Sequence, residues 1–96
     1  MAKTKPRQVC IVTVTGIDKV GIIAKISAIM AKANVNIIDV SQRIMEMYFV
    51  MTMACDITEA TADMDKLHAQ LGKLGKDMDL NITFQHENIF KMMHRV

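Results

Sequence analysis

Apolar residues in this chain change their period in a fixed order: two, then three-to-four, two, two, three-to-four, and two again. Few folds satisfy that order. From Gln8 to Thr15 the run QVCIVTVT is rich in β-branched residues, with Cys10, Val12 and Val14 on one face and Ile11, Thr13 and Thr15 on the other. It predicts a strand. Val20, Ile22, Ile23, Ile26, Ile29, Met30 and Ala33 then recur at helical spacing, with Lys25 and Lys32 opposite. They predict an amphipathic helix, for which Asn34 suits a left-handed stop. Residues 36–44 and 48–55 alternate again, through Ile38, Val40 and Ile44 and then Phe49, Met51, Met53 and Cys55. These predict two strands joined near Glu46. Met64, Leu67, Leu71 and Leu74 mark a second helix, which Thr58 or Thr61 would cap and Gly75 would close, with Asp63 and Asp65 favourable at its start. Leu80, Ile82 and Phe84 alternate in a fourth strand. Ile89, Phe90 and Met93 return to helical spacing, for a C-terminal helix over about residues 87–95.

Right-handed crossovers between strands 1 and 2 and between strands 3 and 4 leave each pair with one strand between its members. The expected fold is therefore α+β and ferredoxin-like, βαββαβ. It has a four-stranded antiparallel sheet of order 4-1-3-2, two helices on one face and an extra C-terminal helix. The other face would carry Ile11, Thr13, Thr15, Asp39, Ser41, Arg43, Tyr48, Val50, Thr52, Asn81, Thr83 and Gln85, a mixed surface that a partner or the terminal helix would cover in part. The same pairing brings Cys10 and Cys55 near each other on the helix-facing side, where both are expected buried and reduced.

At 96 residues the chain is one domain, expected over residues 8–96, behind a basic tail of residues 1–7 expected to be disordered. The formal charge of +2 comes from that tail: without Lys3, Lys5 and Arg7, nine basic groups face ten acidic ones. No basic face for nucleic acid is expected. No apolar run approaches membrane-spanning length, and MAKTKPRQ lacks the apolar stretch of a secretory signal, so the expected location is the cytoplasm. Aromatic residues make up only 4% while methionine occurs ten times, so the core must be aliphatic and adaptable. Met45, Met47, Met51 and Met53 read as filler for the core and an interface.

The fold class hosts unrelated functions, so the site must decide. A metal-transfer domain of this shape needs paired thiolates in the first loop, and TGIDKVG has none. An RNA-recognition domain needs rings on strands 1 and 3, and strand 1 has none. His68, His86 and His94 have no serine or cysteine partner in evident reach, which argues against hydrolysis, and no metal-ligand spacing is present. Neither nucleotide-binding glycine pattern can be placed on the loop.

The loop itself, Thr15 to Gly21, has a helix start. Asp18 is placed to cap a helix beginning at Lys19, Gly16 can take positive φ after the strand, and Gly21 leaves the first turn bare for close approach. TGIDKVGIIAKISAIMAKANVNIIDVSQ resembles the opening half of an ACT domain: a strand, then G-x-D-[RK]-P-G-[IL], a helix, and a strand beginning N-I. By this pattern it is similar to small stand-alone ACT proteins and to the amino-terminal ACT domains of formyltetrahydrofolate deformylase and of the glycine-cleavage-system repressor. Val20 stands where the pattern has proline. The resemblance implies a protein that pairs and binds an amino acid or similar metabolite between the first loop and the start of strand 2 of a neighbouring subunit. Carried over, it implicates Gly16, Asp18 and Gly21 on one side and Asn36 on the other, with Asp39, Ser41 and Gln42 further along strand 2. The expected protein is a homodimeric, non-catalytic regulatory module with a small amino-acid-like ligand and no cofactor or metal. The other reading is a dimeric adaptor between proteins that binds no ligand.

Overall fold

The computed structural model describes residues 7–93 and builds them into β1 (Val9–Ile17), α1 (Ile22–Lys32), β2 (Asn36–Met45), β3 (Tyr48–Asp56), α2 (Met64–Met78), β4 (Leu80–His86) and α3 (Glu87–Met93). The sheet runs β2-β3-β1-β4, which is the order 4-1-3-2 read from the other edge, and every pairing is antiparallel. Cys10, Val12 and Val14 of β1 and Phe49, Met51, Met53 and Cys55 of β3 form one cluster with Ile22, Ile26 and Met30 of α1 and Leu67, Leu71 and Leu74 of α2. Period-two alternation thus selects the helix-facing side of the sheet, and both helices cover it. The expected tail lies outside the described residues except for Arg7, whose Nε is 3.5 Å from a carboxylate oxygen of Asp56. Residues 94 and 95, expected in the last helix, are also outside them.

Cys10 and Cys55 sit directly opposite one another in the β1–β3 ladder, and both are buried free thiols. Burial raises Cys10 to about 11, with the Glu87 charge adding to it. Burial also raises Cys55 to about 12, with Cys10 as the second cause. Neither thiol has thiolate character near neutral pH.

The local boundaries differ from expectation in ways that have physical causes. β1 runs on to Ile17 because Gly16 and Ile17 still pair with Phe49 and Tyr48. α1 begins at Ile22 rather than Lys19, which leaves Val20 outside the helix and 98% exposed. Met45 pairs with Tyr48, so β2 and β3 are joined by only Glu46 and Met47, and Glu46 takes φ 58° at the position where such turns prefer glycine. A bulge at Ile38 interrupts the register of β2.

Asp63, not Thr58 or Thr61, caps α2 by accepting from the Lys66 N–H at 2.8 Å. Thr58 instead donates its N–H and its hydroxyl to Asp56, at 2.9 and 2.6 Å. Gly75 does not close α2, which continues to Met78 and stops at the left-handed Asp79. A Cβ at position 75 would lie 2.9 Å from the Leu80 carbonyl oxygen, so the glycine serves the close return of β4. Asn34 does take φ 58° just past α1.

Candidate functional site

β1 ends, and α1 begins, at the same end of the sheet as the β2–β3 turn. The Asp18 N–H donates to the Met47 carbonyl oxygen at 2.8 Å, which fastens the loop to that turn. Lys19 Nζ donates to the Met78 carbonyl oxygen at the end of α2, fastening it on the other side. Gly16 is needed because a Cβ there would lie 2.7 Å from Leu80 Cδ2 and 3.3 Å from the Asp79 carbonyl oxygen. Gly21 is needed for a different reason: at φ 93° it is left-handed, while an added Cβ would meet only Lys25 Cε, at an unstrained 3.8 Å.

With the backbone held this way, Gly21 is the N-cap of α1 and no side chain among the described residues accepts from the first-turn N–H groups. Asp18 therefore does not cap the helix. Its backbone is committed to Met47, three residues short of the cap position, and no hydrogen bond or ion pair reaches its carboxylate among the described residues. The first turn also carries no acidic residue. Its unsatisfied N–H groups and the positive end of the helix dipole remain available to an anionic group.

That helix start opens into a cavity of about 280 Å³, lined by Gly21, Ile22, Ile23 and Ala24, by Gln42 and Ile44 of β2 and by Phe49 of β3, with Asp18 and Lys19. The lining is apolar apart from Gln42 and the two charged residues. Such a volume suits a ligand of amino-acid size. Gln42 contributes because it pairs with Met51 and so points to the helix-facing side of β2, which neither helix covers fully.

Within one chain the structure brings Gly16, Asp18, Gly21 and Gln42 to this end. Asn36 stands at the opposite end, paired with Asp56, where it lines a separate cavity of about 300 Å³ with Ala31, Asn34, Val35, Asp56 and Glu59. Asp39 and Ser41 pair with Ala54 and Thr52 and face the uncovered side of the sheet, away from Gln42. The sequence reading did not single out Ile44 and Phe49 as cavity walls. Their apolar alternation was visible, but it reads as core until the strand is known to overhang the helix.

The sequence profile of the ACT domain family matches residues 8–85. Over 86 residues the chain is 44% identical to a UPF0237 protein of Methanococcus maripaludis, covering 90% of this chain and 96% of that one. Among solved structures, an ACT domain protein from Streptococcus pneumoniae is 30% identical with a TM-score of 0.74, covering 90% of this chain and 97% of the other. Two longer chains share the fold. A putative glycine cleavage system transcriptional repressor has a TM-score of 0.73 and 22% identity, with 85% of this chain and 47% of that one covered. A formyltetrahydrofolate deformylase from Pseudomonas syringae pv. tomato has a TM-score of 0.77 and 18% identity, with 85% and 28% covered.

Proposed function

This chain belongs to the ACT domain family, and from that membership we propose that it is a non-catalytic regulatory module that binds a small zwitterion, an amino acid or close relative, and acts as an assembly of identical chains in the cytoplasm. The observation that carries the reading is the N-terminus of α1, uncapped by any described side chain, opening into a small, largely apolar cavity beside the Asp18 carboxylate, which has no partner among the described residues. A ligand carboxylate meets the first-turn N–H groups, its ammonium group meets Asp18, and a short apolar side chain rests on Ile22, Ile23 and Phe49. Gln42 supplies a further donor and acceptor. Because Asp18 is not a cap, its charge and a ligand carboxylate need not compete for the same N–H groups.

Asn36 reaches such a ligand only from a second copy. β2 is an edge strand, exposed along almost its whole length, and antiparallel pairing of two β2 edges carries the start of one β2 toward the loop end of its neighbour. Calorimetry of the protein against glycine and small aliphatic amino acids, each with its N-acetyl and its amide derivative, tests the reading. Loss of either ligand charge is expected to lower affinity at least about tenfold, the size of one charge-assisted hydrogen bond. If no amino acid binds, or if both derivatives bind as well as the parent, the zwitterion site is wrong and a ligand-free adaptor between proteins takes its place.

A further inference from the structure

The face of the sheet away from the helices bears a pattern that the ligand site does not use. The register aligns Ser41, Thr52, Thr13 and Thr83 in one row across all four strands, so the middle of this face is a line of short hydroxyl-bearing side chains. On β2, Arg43 lies one row to one side of that line and Asp39 one row to the other, both exposed and without an ion-pair partner among the described residues. At the loop end the face finishes in Met45, Tyr48 and Ile17, large apolar groups left 55%, 52% and 40% exposed. At the other end α3 leaves from β4 with Ile89 and Met92 exposed. The molecule is only 21 Å deep, which holds one helix layer and one sheet layer; a third layer would add about 10 Å. Apart from α3 at the ends of β1 and β4, no described element packs on this face.

We propose that this open face packs on the same face of a second copy, with the two-fold axis lying along the Ser41–Thr52–Thr13–Thr83 row. That axis reverses the strands, so each strand lies over its own copy. The hydroxyl row meets itself, and short side chains allow two sheets to approach to about 10 Å. Arg43 of each copy then lies over Asp39 of the other, which makes two reciprocal ion pairs from groups that have no ion-pair partner among the described residues. The same operation carries Ile17, on β1, to the α3 end of the other copy's β1, where Ile89 and Met92 are exposed. Four strands at about 4.8 Å and four rows at about 6.8 Å cover roughly 500 Å² in plan, at the small end of specific interfaces. The contact is therefore expected to depend on concentration. It takes from the proposed function only the claim that identical chains assemble, and it uses a surface distinct from both the β2 edge and the ligand cavity. With both contacts present the assembly is a tetramer, an edge-paired dimer stacked on another.

Sedimentation without ligand separates the two contacts. Wild type is expected at four times the 10.8 kDa chain mass. Thr13→Arg, which sets two guanidinium groups against each other at the centre of the stacked face, is expected to give two-chain particles. Thr83→Arg, on the exposed edge strand, repeats that test at a position where the monomer fold tolerates charge. Val40→Glu, on the helix side of β2, is expected to break the edge contact alone, and Thr13→Arg with Val40→Glu to leave single chains. Arg43→Asp is expected to weaken the tetramer, and adding Asp39→Arg to restore it. Thermal melts confirm that each variant is folded. If folded Thr13→Arg and Thr83→Arg both sediment like wild type, the open face is not an interface and the inference is overturned. If wild type is a two-chain particle that Thr13→Arg splits and Val40→Glu does not, the open face stands and edge pairing falls. A monomeric wild type overturns both.

Discussion

At the end of the sheet where β3 finishes and β2 begins, polar side chains close the connections. Asp56 holds Thr58 and Arg7, the Thr58 hydroxyl accepts from the Gln8 N–H at 2.9 Å, and Asn34 donates to the Glu59 carbonyl oxygen at 2.9 Å. Asp63 caps α2 there. The other end is finished with glycine and backbone. Gly16 and Gly21 shape the loop, the Asp18 and Lys19 contacts go to main-chain oxygens, and no side chain among the described residues caps α1. Apolar side chains stand exposed around it, Val20 and Ile44 among them. One end spends its polar side chains on its own connections, and the other leaves helix N–H groups and a carboxylate without partners among the described residues. That difference is what makes the loop end a candidate for binding and the far end a candidate for holding the fold together.

The contrast can be broken most forcefully at Gly21. Its φ of 93° is left-handed, a conformation that costs a residue with a side chain about 1–2 kcal/mol and is worst for β-branched groups. Gly21→Val is expected to lower stability by about that much and to abolish amino-acid binding, by chemical denaturation and calorimetry. Gly72 is the control: exposed in α2, with nothing near an added Cβ. Gly72→Ala is expected to raise stability by about 0.5–1 kcal/mol and leave binding unchanged. At the far end, Asp63→Ala removes a side-chain cap and is expected to cost about 1 kcal/mol, again without an effect on binding.

Acid sharpens the comparison from the far end. The two Thr58 hydrogen bonds, and to a lesser degree Arg7, hold the Asp56 carboxyl below its ordinary 3.8. A depressed carboxyl favours the folded state above the unfolded pKa, and that contribution is lost as pH falls through the lower folded value. The stability gap between wild type and Asp56→Asn is therefore expected to be constant near neutral pH and to shrink only below about pH 4. Exposure to solvent keeps the gap small. A gap that instead changed between pH 6 and 8 would assign the effect to another group.

What could be read from the chain follows the same division. The two faces and the opposed Cys10 and Cys55 were legible because each rests on period-two alternation repeated over several residues, and the sheet order because right-handed crossovers leave one strand between each joined pair. The ends of elements were not, since each is decided by a partner distant in sequence. Asp18 has the composition of a cap, but Met47 takes its N–H, and the helix waits until Gly21. Gly75 has the composition of a stop, but the return of Leu80 is what requires it. The bulge at Ile38 and the strained Glu46 carry no local signal, because the sequence there has no glycine. Of the candidate site, the loop glycines and Asp18 were found by motif. That Asp39 and Ser41 turn to the open face followed from alternation, but that Gln42 on the other side shares a cavity with the loop glycines did not, because it depends on β2 overhanging α1.

The smallest expected effect is the most discriminating. If Asp18 were a cap, Asp18→Ala would cost about as much as Asp63→Ala, near 1 kcal/mol. Its carboxylate has no hydrogen-bond partner among the described residues, and its backbone N–H, which holds Met47, survives the substitution. Asp18→Ala is therefore expected to change stability by less than about 0.5 kcal/mol, the range of an ordinary surface change. Binding is where the loss should show. Without the carboxylate, the ligand ammonium loses its partner while the helix start still accepts the carboxylate, so affinity for the amino acid should fall toward that of its N-acetyl derivative. Asp18→Asn keeps the shape and removes the charge, and it is expected to behave the same way. Paired denaturation and calorimetry on Asp18→Ala, Asp18→Asn and Asp63→Ala therefore assign each carboxylate. A large stability loss at position 18 with binding intact would return Asp18 to the role of a structural cap and make the two ends of the sheet alike.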